Sequence, residues 1–316
     1  MGGTMHPSRR GAGDRVIDWL LERDQPAIRY RALTELLGRP LDDPEVREAR
    51  GTIPKVGWAR AILAERNPAG WWVRDWSHFS PSFISTTWMM LVLSSLGLDR
   101  EFPEIRESCE LWMRMKPLRY GPILHPSVEP HYCSLGFGTE ALIRFGYGDD
   151  PRVRRSLDWI VKKEHPEGGW SHFGSGRNLD AWEGLAALAA LPRSHRTAAM
   201  QRAANLGAEF YLDRELHRQG PRHAPWYRFH DPVFYFYDVL VGLEMITALG
   251  YGEDPRLRFA LNLLKRKRRA DGRWNLDAIR PESLPQTNDK AFALERVGAA
   301  SKMITLRALI VLSRLN

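Results

Sequence analysis

The sequence has little of several features that define common protein classes. Its two cysteines, Cys109 and Cys133, are too few for a disulfide framework, which fits a reducing compartment. No apolar run approaches the roughly 18 residues that a membrane-spanning helix requires. Helix-turn-helix, zinc-finger and RNA-binding signatures are also missing, so we expect no nucleic-acid partner. On these grounds the sequence predicts a soluble, cytoplasmic protein.

Acidic residues are also scarce relative to basic ones. The chain has 38 Asp and Glu against 46 Lys and Arg, which gives a formal net charge of +8. The longest basic run is Lys265-Arg266-Lys267-Arg268-Arg269, which follows an amphipathic segment. Its simplest interpretation is the end of a helix, where the helix dipole favours cations. The alternative is a contact with phosphate or with an anionic membrane surface.

The first residues differ in composition from the rest. Residues 1–13 are polar, basic and rich in glycine, and no apolar core follows them as it would in a signal peptide. We therefore expect a disordered tail over 1–13. Because the repeat described below is continuous, residues 14–316 are predicted to form a single domain.

A helical repeat runs through the chain. Four helix starts place a proline at the first helical position, where no N–H is needed: Pro44, Pro103, Pro151 and Pro255. Glycine-tryptophan loops, Gly70-Trp71 among them, follow three of these starts. The spacing from Pro151 to Trp170 and from Pro255 to Trp274 is 19 residues in both cases. Such a register predicts a repeat of one buried and one amphipathic helix.

The predicted helices form six hairpins. The apolar helices are expected near 26–37, 83–96, 132–145, 180–191, 234–249 and 302–314. Their amphipathic partners are expected near 14–22, 44–65, 103–115, 151–163, 195–216 and 255–268. Helices that are apolar on every side must be buried, and closing the hairpins into a ring buries them best. The sequence therefore predicts an all-α fold, an (α/α)6 toroid with inner and outer helix rings around a central cavity.

This pattern of about 50-residue units resembles the squalene cyclase and protein prenyltransferase β-subunit superfamily. The resemblance rests on the Gly-Gly-Trp and Asp-Gly-x-Trp loops and the apolar inner helices, and it extends from Asp14 to Leu315. It implies a toroid whose aromatic-lined funnel holds isoprenoid chains, with terpenoid cyclase or prenyltransferase-like activity. The chain departs from the family in lacking both an Asp-x-Asp-Asp run and an Asp-Asp-x-x-Asp motif.

Two aspartates are the candidate catalytic acids. Asp180 and Asp238 occupy equivalent positions at the starts of two inner helices, and four aromatic residues precede Asp238. A carboxylic acid in an apolar cavity has a raised pKa and can act as a general acid. The alternatives are an N-cap role for Asp180 and a buried hydrogen-bonding role for Asp238. One turn further along, Glu140, Glu183 and Glu244 are expected to face the same cavity.

Aromatic and histidine residues concentrate at the predicted rim loops and inner-helix starts. Aromatic faces grip apolar ligands and stabilise cations, and histidine carries protons near neutral pH. The alternative is that these residues fill gaps between hairpins and bond the backbone. The candidate substrate-binding residues are Trp88, Trp182, Trp226, Phe234, Tyr235, Tyr237, His78, His172 and His230.

The resemblance also suggests a zinc site. In the prenyltransferase β-subunits an Asp-x-Cys at the start of an inner helix holds zinc together with a histidine from a later unit. Here His131 stands in place of the aspartate, two residues before Cys133. A set of His131, Cys133 and Asp180 would supply three ligands and leave one position open. A buried cysteine that acts as a small hydrophobe is the alternative, and no cofactor is otherwise predicted.

Three functions are compatible with these patterns. The first is an enzyme that acts on an apolar, isoprenoid-type small molecule in the central cavity by acid catalysis. The second is a glycoside hydrolase or polysaccharide lyase, because such enzymes also use α/α toroids with paired carboxylates. The third is a non-catalytic toroid that binds a lipid or a protein.

Overall fold

A computed structural model describes residues 12–115, 119–171, 181–217, 224–279 and 293–315 of the chain. Most of the predicted tail and two candidate site residues, Asp180 and His172, lie outside these ranges. The first helix begins at Ala12, two residues before the predicted domain boundary.

The described residues are helical and contain no β-strand, only three isolated β-bridges. The α-helices are α1 Ala12–Leu20, α2 Pro26–Arg31, α3 Pro44–Thr52, α4 Gly57–Ala64, α5 Thr86–Ser95, α6 Pro103–Arg114, α7 Tyr132–Leu142, α8 Pro151–Lys162, α9 Glu183–Ala190, α10 Ala198–Asp213, α11 Val239–Ala248, α12 Arg258–Arg266 and α13 Lys302–Ser313. Short π-helical turns, Ala32–Leu36 and Ile143–Tyr147, extend α2 and α7. Among these helices none has both the length and the apolar character that a membrane span requires. The all-α prediction is confirmed.

Buried and amphipathic helices alternate along the chain, as the repeat predicts. We call α2, α5, α7, α9, α11 and α13 the buried helices, because most of their residues are inaccessible to solvent. The helices between them bury one stripe only. In α8, for example, Val153, Leu157 and Ile160 are buried while Arg155 and Asp158 are exposed. Each amphipathic helix therefore covers the buried series and presents its charged side to solvent.

The Asp-Pro pairs begin helices for the reason that the sequence suggests. The carboxylates of Asp43, Asp150 and Asp254 accept hydrogen bonds from the backbone N–H groups that follow the proline. At the fourth start Phe102 takes the N-cap position and offers no side-chain bond. Proline alone is thus sufficient to mark that start, since its ring is preorganised for a helix.

The tryptophan loops repeat in three dimensions. The indole Nε1 of Trp72, Trp170 and Trp274 each donates to a carbonyl ten residues earlier, at 2.9, 2.9 and 2.8 Å. Trp72 and not Trp71 is therefore the equivalent residue in the first loop, so the predicted Gly70-Trp71 pairing is wrong by one position. The shared feature is Gly-x-Trp, in which a buried indole ties the loop to the end of the preceding helix.

Three buried helices start later than predicted. α5 begins at Thr86 instead of 83, α9 begins at Glu183 instead of 180, and α11 begins at Val239 instead of 234. Phe83 and Phe234 both have positive φ angles, 69° and 47°, which a helix cannot accommodate. The aromatic residues before α5 and α11 form irregular segments that pack against each other, which apolar periodicity does not reveal.

The first and last hairpins are in contact. The buried helices from α5 to α13 pack on each other in chain order, and α13 also packs on α2, from which Arg31 Nη1 donates to the carbonyl of Ser95 in α5 at 3.0 Å. Lys302 Nζ lies 2.8 Å from Glu22 Oε2 and 2.7 Å from Asp24 Oδ1. The Arg273 guanidinium stacks 4.0 Å above the Trp19 ring. The two ends of the helical series are therefore joined by apolar packing and by charge.

The basic run 265–269 ends α12, in agreement with its simplest interpretation. Lys267 Nζ pairs with Asp277 at 2.7 Å, and Arg269 pairs with Asp271 at 3.2 Å. The Arg268 guanidinium lies 5.2 Å from the centre of the Trp274 ring. Three of the five cations thus interact within their own hairpin, whereas Lys265 and Arg266 are exposed, and the phosphate or membrane contact stays a prediction.

Candidate functional site

A cavity of about 310 Å³ lies between the buried helices, and all six contribute residues to its wall. Its size is at the lower end of the range for small-molecule sites. The α13 side of the wall consists of Met303, Arg307, Ile310 and Arg314, which share one helical face. Met303 and Arg314 are eleven positions apart, which corresponds to about 16 Å along the helix axis. We call the end near Met303 the floor and the end near Arg314 the mouth.

The floor is aromatic and closed to solvent. Phe137, Trp182 and Phe234 line it, and behind them lie Phe83 and Trp88. The ring centres of Phe83 and Phe234 are 5.1 Å apart, and those of Trp88 and Phe234 are 5.4 Å apart with an edge-to-face geometry. This cluster fills the space at the N-terminal ends of the buried helices. Such faces favour apolar ligands and stabilise positive charge.

One carboxyl group, that of Asp231, reaches the floor of the cavity. Only 4% of the residue is exposed, and no described residue donates a hydrogen bond to its side chain. Its nearest charged partner is Arg307, whose Nη1 lies 3.9 Å from Asp231 Oδ1. Burial raises the pKa of Asp231 to about 7, an effect that Glu295 and Glu244 reinforce and that Arg307 and His230 only partly offset. Below pH 7 the carboxyl group that faces the aromatic floor is therefore mostly protonated, and near pH 7 both its protonated and ionised forms are present.

Arg307 cannot neutralise Asp231 fully because it is engaged elsewhere. Its guanidinium binds Glu244 through Nε and Nη2, at 3.0 and 2.6 Å, and Nη1 donates to the carbonyl of His230 at 3.1 Å. The long contact with Asp231 is left as the weaker of the two ion pairs. Glu244 faces the cavity, as the sequence predicts, and does so as the partner of Arg307.

Asp238, the first candidate acid, does not line the cavity. It is fully buried as the N-cap of α11, where Oδ1 accepts from Val241 N at 2.9 Å. Its Oδ2 accepts from His230 N at 3.0 Å and lies 2.7 Å from His230 Nδ1. Burial alone would raise the pKa of Asp238, but His230, Arg307 and the Val241 N–H outweigh it and lower the pKa. The expected raised pKa is therefore wrong, and the hydrogen-bonding alternative describes Asp238.

His230 is held from both sides. Its Nε2 lies 3.1 Å from the carbonyl oxygen of Phe236, which can only accept, so Nε2 carries a proton. Its Nδ1 faces the Asp238 carboxylate, so the ring bridges the segment before α11 to the cap of that helix. This bridge orders the residues that carry Asp231 and Phe234 to the floor.

The other predicted substrate contacts divide into two groups. Trp182 and Phe234 line the cavity. The remaining described ones lie in the surrounding packing: Trp88, Trp226, Tyr235, Tyr237 and His78. His78, for example, lies 3.3 Å from the carbonyl of Tyr120, and burial lowers its pKa. Filling gaps and bonding the backbone, the simpler alternative, accounts for this second group.

The proposed zinc ligands are only partly described. Cys133 Sγ lies 2.9 Å from His131 Nδ1 at the start of α7, whereas Asp180 lies outside the described residues. Within the described ranges, no group of three or more potential metal ligands converges. The zinc set therefore stays a prediction from the resemblance.

The mouth of the cavity is charged. Of the described residues that line the cavity, four are arginines and three are glutamates. Three ion pairs, Arg31–Glu35, Arg144–Glu140 and Arg307–Glu244, join them at 2.5, 2.8 and 2.6 Å. This leaves Arg314 as the fourth arginine, which is exposed at the end of α13. The cavity thus combines an apolar floor with a mouth that has one more positive than negative charge.

Sequence reasoning missed both Asp231 and Arg314. Asp231 precedes Pro232 in a loop outside the repeat register, and Arg314 follows the last helix. The available signal was indirect: Arg314 continues the helical face of Met303, Arg307 and Ile310 at spacings of three and four residues.

Comparison with protein-family models finds no matching model, and comparison with curated proteins finds no match.

Proposed function

We propose that this chain is an (α/α)6 toroid of the squalene cyclase and prenyltransferase β-subunit type, and that it is an enzyme acting on an apolar, isoprenoid-type small molecule by acid catalysis. The ring is supported by the contact of α13 with α2, by the Lys302 bridge and by a cavity that all six buried helices line. Acid catalysis is supported by one observation above all. A single buried carboxyl group, Asp231, faces an aromatic floor.

In this proposal Asp231 donates its proton to one carbon of an activated alkene. The neighbouring carbon becomes cationic, and the faces of Phe137, Trp182 and Phe234 stabilise it. Loss of a proton from an adjacent carbon to the Asp231 carboxylate then gives an isomerised or cyclised product with no change in oxidation state. Arg307, 3.9 Å away, stabilises the carboxylate while it is unprotonated.

The sugar-cleaving alternative has less support. A glycosidase needs two carboxyl groups on either side of a glycosidic bond. Here the second cavity carboxylate near Asp231 is Glu244, which Arg307 holds in a bidentate pair. Apolar and aromatic residues, among them Val241 and Met245, form the rest of this part of the wall. Such a surface suits a hydrocarbon better than a saccharide.

The proposal predicts incorporation of one solvent deuteron at carbon. Incubation with farnesol, farnesoic acid or farnesyl diphosphate in D2O should yield an isomer one mass unit heavier, measured by gas chromatography with mass spectrometry. Asp231→Asn should abolish this product, because the amide has no acidic proton, while affinity for the probe changes less than about threefold.

The matched control is Asp231→Glu, which keeps the acid and should retain partial activity. Unchanged deuteration in Asp231→Asn would contradict acid catalysis by this residue. Binding of a probe without deuteration in the unmodified protein would favour the non-catalytic lipid-binding alternative.

A further inference from the structure

The mouth of the cavity carries a surplus cation. Arg31, Arg144 and Arg307 each contact one glutamate on the cavity wall. Among the described residues, Arg314 has no carboxylate within ion-pair distance, and its one hydrogen bond goes from Nη1 to the carbonyl of Glu244 at 3.4 Å. A guanidinium has five N–H donors in a planar fork, so most of the Arg314 donors have no protein acceptor in the described structure.

The surroundings of Arg314 favour the arrival of an anion. Burial together with the nearby Arg31 and Arg144 lowers the pKa of Arg314, whereas Glu244 and Glu35 only partly compensate. The guanidinium nonetheless stays charged at neutral pH. A ligand anion at the mouth would neutralise the one unbalanced charge and accept bidentate hydrogen bonds from the planar fork.

The balance of charges on the cavity wall indicates how many negative charges that anion carries. Because the other three arginines already contact glutamates, the described part of the cavity lining has a surplus of one positive charge when Asp231 is protonated. A group with several negative charges would face Glu35 and Glu140 without enough cations to balance it. A monoanion therefore fits where a diphosphate does not.

We infer that the cavity takes an amphiphile with a single negative charge, such as an isoprenoid carboxylate, whose head is bound by Arg314 and whose chain extends to the aromatic floor. This inference rests on the proposed function for the apolar part of the site and adds the head group and the orientation. The backbones of Met303 and Arg314 are about 16 Å apart along the axis of α13, so the end of the chain remote from the carboxylate extends toward Asp231 and Phe234.

Isothermal titration calorimetry with three probes that share one chain tests the inference. Farnesoic acid should bind about tenfold more tightly than farnesol, and more tightly than farnesyl diphosphate. Arg314→Gln should reduce the affinity for farnesoic acid about tenfold and leave the affinity for farnesol unchanged. Arg314→Lys should reduce the affinity for farnesoic acid by a smaller factor. Arg258→Gln, on an exposed arginine of α12 that does not line the cavity, is the matched control and should bind all probes as the unmodified protein does.

The outcomes separate this inference from the proposed function. Equal binding of acid and alcohol, or no effect of Arg314→Gln on the acid, would overturn the monoanion site and leave the apolar site standing. If the diphosphate bound most tightly and Arg314→Gln weakened that binding, the inference that the head group carries a single charge would be overturned. Binding of none of the three probes would overturn both proposals. Melting curves of the Arg314 variants should overlay that of the unmodified protein, because this side chain is exposed.

Discussion

Asp231 and Asp238 are seven residues apart and both buried, yet they differ in their protonation. Asp238 accepts three hydrogen bonds or close contacts from N–H groups, which lower its pKa. Asp231 has only the distant Arg307, so burial dominates and raises its pKa to about 7. The immediate donors around a carboxyl group, and not the apolar character of the segment, decide which of the two can act as an acid.

The raised pKa of Asp231 predicts a pH dependence of stability. An aspartate in an unfolded chain has a pKa of 3.8, so between about pH 4 and pH 7 the native state holds a proton that the unfolded chain releases. The stabilisation is complete below pH 4 and is lost as the pH rises to 7, on the order of 4 kcal/mol in total. Asp231→Asn should remove this slope and be the more stable protein at pH 8, as urea unfolding between pH 4.5 and 8 would measure.

The other charged groups that face Asp231 limit how much of the pH dependence of stability Asp231→Asn can remove. Arg307, Glu244, Glu295 and His230 remain in the variant, so any slope that they contribute persists in both proteins. If Asp231→Asn were the less stable protein at pH 8, the carboxylate would be stabilised in the native state and the sign would be reversed.

At the scale of the helix, the N-caps of buried and amphipathic helices should differ in their contribution to stability. Asp238→Asn places an amide N–H against the N–H groups of His230 and leaves the buried ring without its carboxylate, so we expect a loss of about 3 kcal/mol. The equivalent change at the solvent-facing cap, Asp254→Asn, should cost less than about 0.5 kcal/mol, because asparagine caps a helix as well as aspartate does. Chemical denaturation of both variants measures the difference, and equal losses would contradict a special role for the His230 bridge.

The accuracy of the sequence-based helix predictions follows from local chemistry. The start of α8 and the start of the 3-10 turn Pro255–Leu257 that precedes α12 were predictable because Asp150 and Asp254 cap them locally, and the stretch from proline to tryptophan has the same length in both units. The starts of α5 and α11 were not, because Phe83 and Phe234 leave the helical conformation to pack on each other across the molecule. Periodicity predicts burial, and it does not distinguish a buried helix turn from a buried aromatic loop.

The difference between positions inside and outside the repeat also explains which site residues were predictable from the sequence. Trp182 and Phe234 were predictable as cavity residues because they lie at the starts of buried helices in the repeat register. Asp231 and Arg314 lie outside that register, and only the three-dimensional arrangement brings them to opposite ends of one cavity.

For the whole molecule, the contact between α13 and the first hairpin predicts a measurable coupling between the two ends of the helical series. We call this contact the seam. Lys302 is 6% exposed and bridges Glu22 and Asp24. Lys302→Met should cost about 1 kcal/mol, because the two carboxylates are half-exposed and stay hydrated without their partner. Hydrogen exchange should accelerate together in α2 and α13, which pack on each other at the seam.

Lys163→Met, on an exposed pair with Glu129, is the matched control and should cost less than about 0.5 kcal/mol. Faster hydrogen exchange in α13 with an unchanged rate in α2 would show that the two helices open independently. The proposed closed ring would then lose this support.

The aromatic floor has a consequence for chain length. If the cavity takes the amphiphile inferred above, Phe234 and the rings behind it, which close the floor within the described residues, stop the far end of its chain. In that case the separation of Phe234 and Arg314 selects ligands by chain length. A chain that is too short cannot touch both ends at once, and one that is too long holds its head group out in solvent beyond the guanidinium.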